Sequence, residues 1–350
     1  MTRLKSRARR LKGMMEITPL LAPQGWLSAK RVAIAGDASG RHFERLTKNG
    51  VSAILMHAPP PIAGPILRDG KTYRTLARLS DSLGSFVAMA KALRHEGVSA
   101  PDIFATDIQN GLALVEDLGA EGIVQDQSPI VDRYREAVSL LAQLHTKNLP
   151  SLITGHDGES YRIPSYDLEP LLTEVELFLD WYYPAFSKAP LSDQARTQFF
   201  DLWRVLIEPC LQDRQTWTLR DYHSPNLFWL SGREGYQRIG VIDIQDAVYG
   251  HPAYDLASLL QDARLAVPEA LELELIKHYA DLREAADSAF NLPKFLHAYA
   301  IYGAQRVTKI LGIFVRLDRR DHKPDYLRHL PHMRAYLKRN LAYPALASLK

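Results

Sequence analysis

The sequence predicts an α+β protein in two unequal lobes: a small antiparallel sheet within residues 1–118 and a larger, mostly helical part over 119–350. Three observations predict it. Short apolar runs bounded by turn residues crowd the first third of the chain. Longer runs with apolar residues at helical spacing fill most of the remainder. The chain's 350 residues, 46% hydrophobic and 24% charged, provide apolar mass for one large domain or two modest ones.

From the N-terminus, "MTRLKSRARRLKG" is strongly basic and lacks the apolar stretch of a secretory signal, so a frayed, solvated leader is expected. "RVAIAGDASG", "RHFERLTKNG" and "VSAILMHA" read as three antiparallel strands, with Asn49-Gly50 as a hairpin turn because both residues tolerate positive φ. "ILMHAPPPIAGPIL" is cut by proline too often to span a bilayer. A helix is expected in "SDSLGSFVAMAKALRHEG", capped by Asp81 or Ser82 and stopped at Gly97. "PDIFATDIQNGLALVEDLG" then gives two more strands around Asn110-Gly111. Beyond Ser128-Pro129, helices are expected near 129–147, 169–184, 192–211, 253–263, 268–286, 292–315 and 325–341, with short β runs between Thr216 and Asp243. Cys210 is the single cysteine and falls in the helical pattern "FFDLWRVLIEPCL", which suits a buried small apolar residue. A formal net charge of +3 does not call for general nucleic-acid binding. The chain therefore reads as cytoplasmic and monomeric, with neither nucleic acid nor membrane as partner.

The stretch "LRDYHSPNLF" places Asp221 and Asn226 in a short, proline-broken loop, and "VIDIQDA" brings Asp243 to the end of an apolar strand soon afterwards. Phosphoryl transfer from a nucleotide needs a carboxylate at the acceptor hydroxyl and hard oxygen ligands for Mg²⁺. Asp221 suits the first role; the amide oxygen of Asn226 and the carboxylate of Asp243 suit the second. Carboxylates also cap helices and close turns. The adjoining short strands and the strand-rich region upstream favour the catalytic reading.

On these motifs, "GDASGRHFERL", "ILMHAPP", "LALVEDLG" and "LRDYHSPNLFWL…IGVIDIQDAVYGHPAYDLASLLQD", the chain resembles the aminoglycoside-phosphotransferase-like kinases, most closely their bacterial branch of N-acetylmuramate/N-acetylglucosamine anomeric kinases. The resemblance implies a protein-kinase-like fold with ATP and Mg²⁺ as cofactors. It also implies phosphorylation of the anomeric hydroxyl of an amino sugar, as in peptidoglycan recycling. By the same resemblance Asp221 is the catalytic base, Asn226 and Asp243 hold the metal, and Asp255 braces the catalytic loop. Two departures stand out. The family usually has histidine where this chain has Leu219. The lysine that kinases use on the third strand is missing, and Met56 and His57 stand there.

Phosphate charge is then left to Arg41, or to backbone N–H groups of the turn Gly36, Asp37, Ala38, Ser39 and Gly40, although an ordinary hairpin turn is the other reading of "GDASG". Glu116, Asp117 and Leu118 fall at the expected hinge, where backbone groups suit an adenine edge. Asp246 is a candidate metal or acceptor contact, or a loop cap. His223 is a tempting base without an identifiable partner. Trp181, Tyr182 and Tyr183 read as core or as a sugar-stacking wall. Tyr302, Gln305 and Arg306 share a face of a long helix and are candidates for the acceptor wall. The basic C-terminal stretch favours a neutral or anionic small-molecule acceptor over a polycation. Kinases of another small alcohol, such as an aminoglycoside, choline or homoserine, a non-catalytic nucleotide-binding scaffold, and a nucleic-acid binder using the basic termini stay open as alternatives.

Overall fold

The protein is described by a computed structural model covering residues 17–34, 40–62 and 64–350. The basic leader and the turn residues Gly36, Asp37, Ala38 and Ser39 lie outside the described residues.

Five strands build the N-terminal sheet: β1 (Lys30–Ile34), β2 (His42–Lys48) and β3 (Val51–His57), then, beyond a short hairpin of β4 (Ile66–Arg68) and β5 (Lys71–Thr72), β6 (Ile103–Asp107) and β7 (Leu112–Glu116). Their order is β1-β2-β3-β7-β6, with every pair antiparallel. Asn49 and Gly50 take the positive φ values, 50° and 77°, that a tight β2–β3 turn requires. In the β6–β7 connection only Gly111 is left-handed, at φ 65°. A Cβ there would lie 2.3 Å from the Ala58 carbonyl oxygen, so the close approach of the chain leaving β3 also demands glycine.

Side-chain alternation gives the sheet two buried faces. Leu46, Ala53, Leu55, Leu112 and Leu114 pack with Ile17, Leu20 and Leu21 on one side. Met56, Ala113 and Val115 pack on the other with Phe86, Met89 and Leu93 of helix Leu83–His95, in a core continuous with the C-terminal lobe.

That hairpin was not expected from the sequence. β4 (Ile66–Arg68) and β5 (Lys71–Thr72) close around Asp69 and Gly70, both at positive φ, and lead into a one-turn helix at Tyr73–Leu76. This segment docks on helix Leu168–Leu177 of the large lobe. Arg68 pairs with Glu176 at 2.5 Å, Lys71 with Glu169 at 3.0 Å and Arg78 with Glu169 at 2.8 Å.

Helices Val131–Thr146, Leu168–Leu177, Asp193–Cys210, Ala253–Leu260, Glu269–Ala286, Leu292–Asp321 and Leu330–Leu341 form the large lobe. Cys210 is free and buried, as expected. Three boundaries differ from expectation. The helix expected over 169–184 widens into a π segment at Phe178–Tyr182 before its last turn. The long helix continues to Asp321 and ends at a left-handed His322. Residues 324–329 are 3₁₀, with Pro331 at the start of the α-helix that follows. Trp181 and Tyr182 pack against the apolar cluster of Phe314, Met333 and Tyr336, which is a core role.

Gly312 sets how closely the long helix crosses the end of helix Leu168–Leu177. An added Cβ would come within 2.4 Å of the Leu177 carbonyl carbon and oxygen, which are backbone atoms with no rotamer to move. Gly312→Ala should therefore destabilise by about 2 kcal/mol, against the roughly 1 kcal/mol gain usual for glycine to alanine inside a helix. Urea unfolding gives the sign directly.

Candidate active site

Two short antiparallel strand pairs, one nested inside the other in sequence, carry the site. Strand Thr216–Thr218 pairs with Val248–Gly250, and Leu227–Trp229 pairs with Ile239–Val241. Asp221 and Asn226 lie in the loop between the first strand of each pair; Asp243 follows Val241. Pro225 initiates a single 3₁₀ turn, Ser224–Asn226, that folds the amide back towards Asp221. Asn226 Nδ2 donates to the Asp221 carbonyl at 2.9 Å and lies 3.5 Å from Asp243 Oδ2. The Ile242 N–H donates to the Asn226 carbonyl at 3.0 Å, locking the two loops together. The structure thus brings Asp221, Asn226 and Asp243 to one place.

Arg220 and Asp243 both adopt left-handed backbone, at φ 66° and 61°, a conformation non-glycine residues keep only when their surroundings enforce it. Asp255 enforces it at Arg220. Its carboxylate accepts the N–H of Leu219 at 2.6 Å and that of Arg220 at 2.9 Å, while Ser258 Oγ donates to the Arg220 carbonyl at 3.0 Å. Burial, with the charge of Asp221 nearby, pushes the Asp255 carboxyl up to about 7 in spite of those two donors. Leu219, where the resemblance leads one to expect histidine, is buried core.

A buried charge cluster lies behind the loop. Glu174, fully buried, accepts from Arg220 Nη2, from Lys309 Nζ at 3.2 Å, from Tyr166 Oη at 2.5 Å and from Gln305 Nε2 at 3.1 Å. Two cations thus face one carboxylate, and the surplus positive charge acts on Asp221. Burial alone would raise the Asp221 carboxyl, but Lys309, His223, Arg220 and Arg306 hold it below its ordinary value. His223 has a partner the sequence did not reveal: its Nδ1 lies 3.7 Å from Asp262 Oδ1. Burial opposes ionisation of Asp262 too, yet His223 and the N–H groups of Ser224 and Arg264 bring its carboxyl down to about 2.

The small lobe contributes Arg41, whose guanidinium reaches Asp243 Oδ1 at 2.6 Å and Gln245 Oε1 at 2.5 Å. Gly40 beside it is open, with no heavy atom within 4 Å of an added Cβ. Met56 is buried in the core, and His57 lies opposite His42 with ring centroids 6.4 Å apart, so β3 supplies no lysine to the site. At the hinge, the Glu116 side chain pairs with Arg94 and Arg233, and Asp117 is held by Arg45 in a two-pronged pair. The Leu118 side chain is buried against Gly240, while its N–H has no hydrogen-bond partner among the described residues.

The other candidates fall differently. Asp246 accepts the Ser80 N–H at 2.6 Å, which ties it to the segment following the β4–β5 hairpin. Tyr302, Gln305 and Arg306 do not form an open wall. All three are buried: Tyr302 stacks on His251, Gln305 donates to Glu174 and to the Leu171 carbonyl, and Arg306 donates to the Gln261 carbonyl. Helical spacing correctly put them on one face, but that face packs inward against Glu174, His251 and Gln261. Arg220, Glu174, Lys309 and Gln245 were missed; the available signal was two charges, Glu174 and Lys309, set within otherwise apolar helical runs.

Among the described residues no group of three or more His, Cys, Asp or Glu side chains forms a metal cage. Mg²⁺ does not require one, since it is bound through one or two protein ligands plus phosphates and water. Asn226 Oδ1, which accepts no hydrogen bond among the described residues, and the Asp243 carboxylate are oxygen donors of that kind.

Residues 30–288 match the family model described as "Phosphotransferase enzyme family". The chain is 35% identical over 345 residues to an N-acetylmuramate/N-acetylglucosamine kinase of Caulobacter vibrioides, covering 94% of this chain and 93% of that one. It is 28% identical over 340 residues to the protein of the same name from Pseudomonas aeruginosa, covering 94% and 90%. Among solved structures, a choline/ethanolamine kinase family protein from Mesorhizobium loti superposes with TM-score 0.58 at 14% identity over 96% of both chains. The ADP-bound aminoglycoside phosphotransferase APH(2'')-Ib superposes with TM-score 0.52 at 11% identity, covering 91% of this chain and 97% of that one. The architecture is the α+β, protein-kinase-like fold of these neighbours.

Lys309 is the first of the cations opposing the effect of burial on Asp221. Lys309→Met should raise the Asp221 pKa, because removing a nearby positive charge disfavours the carboxylate. Carboxyl ¹³C titration by NMR, with Asp221→Asn to assign the signal, checks both the sign and the site.

Proposed function

The chain belongs to the phosphotransferase enzyme family, and from that premise we propose that it transfers the terminal phosphoryl group of ATP, taken up with Mg²⁺, to the anomeric hydroxyl of N-acetylmuramate or N-acetylglucosamine. The product is the sugar 1-phosphate, made in the cytoplasm during reuse of peptidoglycan fragments. One observation carries the reading: Asp221, Asn226 and Asp243 converge in a chain similar over nearly its whole length to kinases named for these two sugars.

Asp221 orients the acceptor hydroxyl and takes its proton late in the transfer. The cations behind it keep it ionised, and therefore a proton acceptor, across the neutral range. Asn226 Oδ1 and the Asp243 carboxylate hold the metal, which when bound neutralises charge on the phosphates. The N–H of Leu118, without a hydrogen-bond partner among the described residues, serves an adenine edge as hinge donor. Arg41 and the turn 36–40 serve the phosphates. With Tyr302, Gln305 and Arg306 buried, the acceptor wall falls to the segment 66–80, which reaches Asp246 through the Ser80 N–H and Arg220 through the Ala77 carbonyl. Closure of the lobes excludes water from the transfer.

Incubation with each sugar and ATP, followed by product analysis, tests the reaction. The expected product is a phosphosugar that mild acid hydrolyses, as an anomeric phosphate does; an acid-stable phosphate at another hydroxyl would reject the anomeric assignment. Asp221→Asn should lower turnover by about 10³-fold and leave nucleotide affinity within about threefold. Turnover near that of the wild type would remove Asp221 from its role. Asp243→Ala should abolish Mg²⁺-dependent nucleotide binding in calorimetry.

A further inference from the structure

Arg41 bridges the lobes at the atom the metal needs. Its Nη2 donates to Asp243 Oδ1 at 2.6 Å, its Nη1 donates to Gln245 Oε1 at 2.5 Å, and Gln245 Nε2 closes the triangle on the same Asp243 oxygen at 3.0 Å. The other carboxylate oxygen lies 3.5 Å from Asn226 Nδ2. The pair is mostly shielded, with 20% of the Arg41 side chain and 30% of that of Asp243 exposed, so solvent screens it incompletely. A divalent ion bound at that carboxylate would meet the positive charge of the guanidinium at close range, and the two like charges oppose each other there. At the same time, β3 offers Met56 and His57 where phosphates would otherwise meet a lysine.

We propose that Arg41 works in two positions. Without nucleotide it neutralises Asp243; when a metal-bound nucleoside triphosphate arrives, it yields that carboxylate to the metal and turns its fork onto the phosphate oxygens, supplying the cation that β3 lacks. The proposal rests on reading the site as one for Mg²⁺ and ATP. A guanidinium matches carboxylate and phosphate with the same planar, two-pronged geometry. The exchange therefore replaces one charge-assisted pair by another and strands no shielded charge. No covalent bond changes; only the partners of Arg41 and Asp243 do.

The consequence is a pair of effects of opposite sign. A bare divalent ion meets the like charge of Arg41 at Asp243, so Arg41 works against it. The metal-bound nucleotide brings phosphates that Arg41 can grip, so Arg41 assists it. Mn²⁺ binding without nucleotide, followed by electron paramagnetic resonance, and binding of Mg²⁺ with a non-hydrolysable ATP analogue, followed by calorimetry, separate the two. Arg41→Gln should bind Mn²⁺ alone at least about threefold more tightly and the Mg²⁺–analogue complex about tenfold more weakly, the latter matching loss of one charge-assisted hydrogen bond. Arg41→Lys keeps the charge without the fork and should move both affinities in the same senses by less; it serves as the second reading if the glutamine variant melts without ligand. Two affinities that change together, or a bare-ion affinity that does not rise, would overturn the exchange. A wild-type protein that binds no analogue in the presence of Mg²⁺ would instead remove the nucleotide-site reading on which the exchange rests.

Discussion

The buried carboxylate of Glu174 is the point from which the rest of the site is held. It joins helix Leu168–Leu177, the loop at Arg220 and the long helix at Lys309 through four donors, with no exposed surface of its own. Arg220 passes the connection on by donating to the Ala77 carbonyl, so the segment from the small lobe rests on the residue next to Asp221. A buried ion pair of this kind adds little net stability over an apolar replacement, but losing one member leaves an uncompensated charge costing roughly 3–5 kcal/mol. Its value lies in fixing one arrangement of three elements that meet nowhere else in the same way.

Charge balance explains why the arrangement supports chemistry. Lys309 and Arg220 exceed what Glu174 neutralises, and the surplus falls on Asp221, whose burial would otherwise favour its protonated form. Asp255, only one residue further back along the hydrogen-bond path, receives less of that surplus and sits near 7. Asp221, partly exposed, and the fully buried Asp255 thus differ because their surroundings differ. One is available as a proton acceptor; the other holds backbone N–H groups.

Much of this was legible in the sequence, for identifiable reasons. Asn49-Gly50 announced its hairpin because few residue pairs accept two positive φ angles, and the spacing of Asp221, Asn226 and Asp243 was readable because the nested strand pairs that hold them fall within one short stretch of sequence. The pairing of Glu174 with Arg220 and Lys309 was not, since no periodicity reports which distant charges meet. The same limit misplaced Tyr302, Gln305 and Arg306: helical spacing says which residues share a face, and packing decides what the face meets. Asp69-Gly70 was a turn signal overlooked because its strands, of three and two residues, carry too little alternation to stand out. Arg41 was assigned to phosphate from the absence of a lysine, and its contact with Asp243 adds a partner that spacing could not supply.

The ion pairs made by Arg68, Lys71 and Arg78 have a mechanical consequence. The β4–β5 hairpin is encoded between strands of the small sheet, yet its fastenings are to a helix of the opposite lobe. If the sheet swings away to admit or release a nucleotide, the hairpin would stay with the large lobe, and the bending would fall on the chain that leaves β3 after His57 and on the residues that lead into helix Leu83–His95. The moving unit would then be smaller than the lobe the sequence delimits, and the segment fastened to helix Leu168–Leu177 would keep its place through the swing.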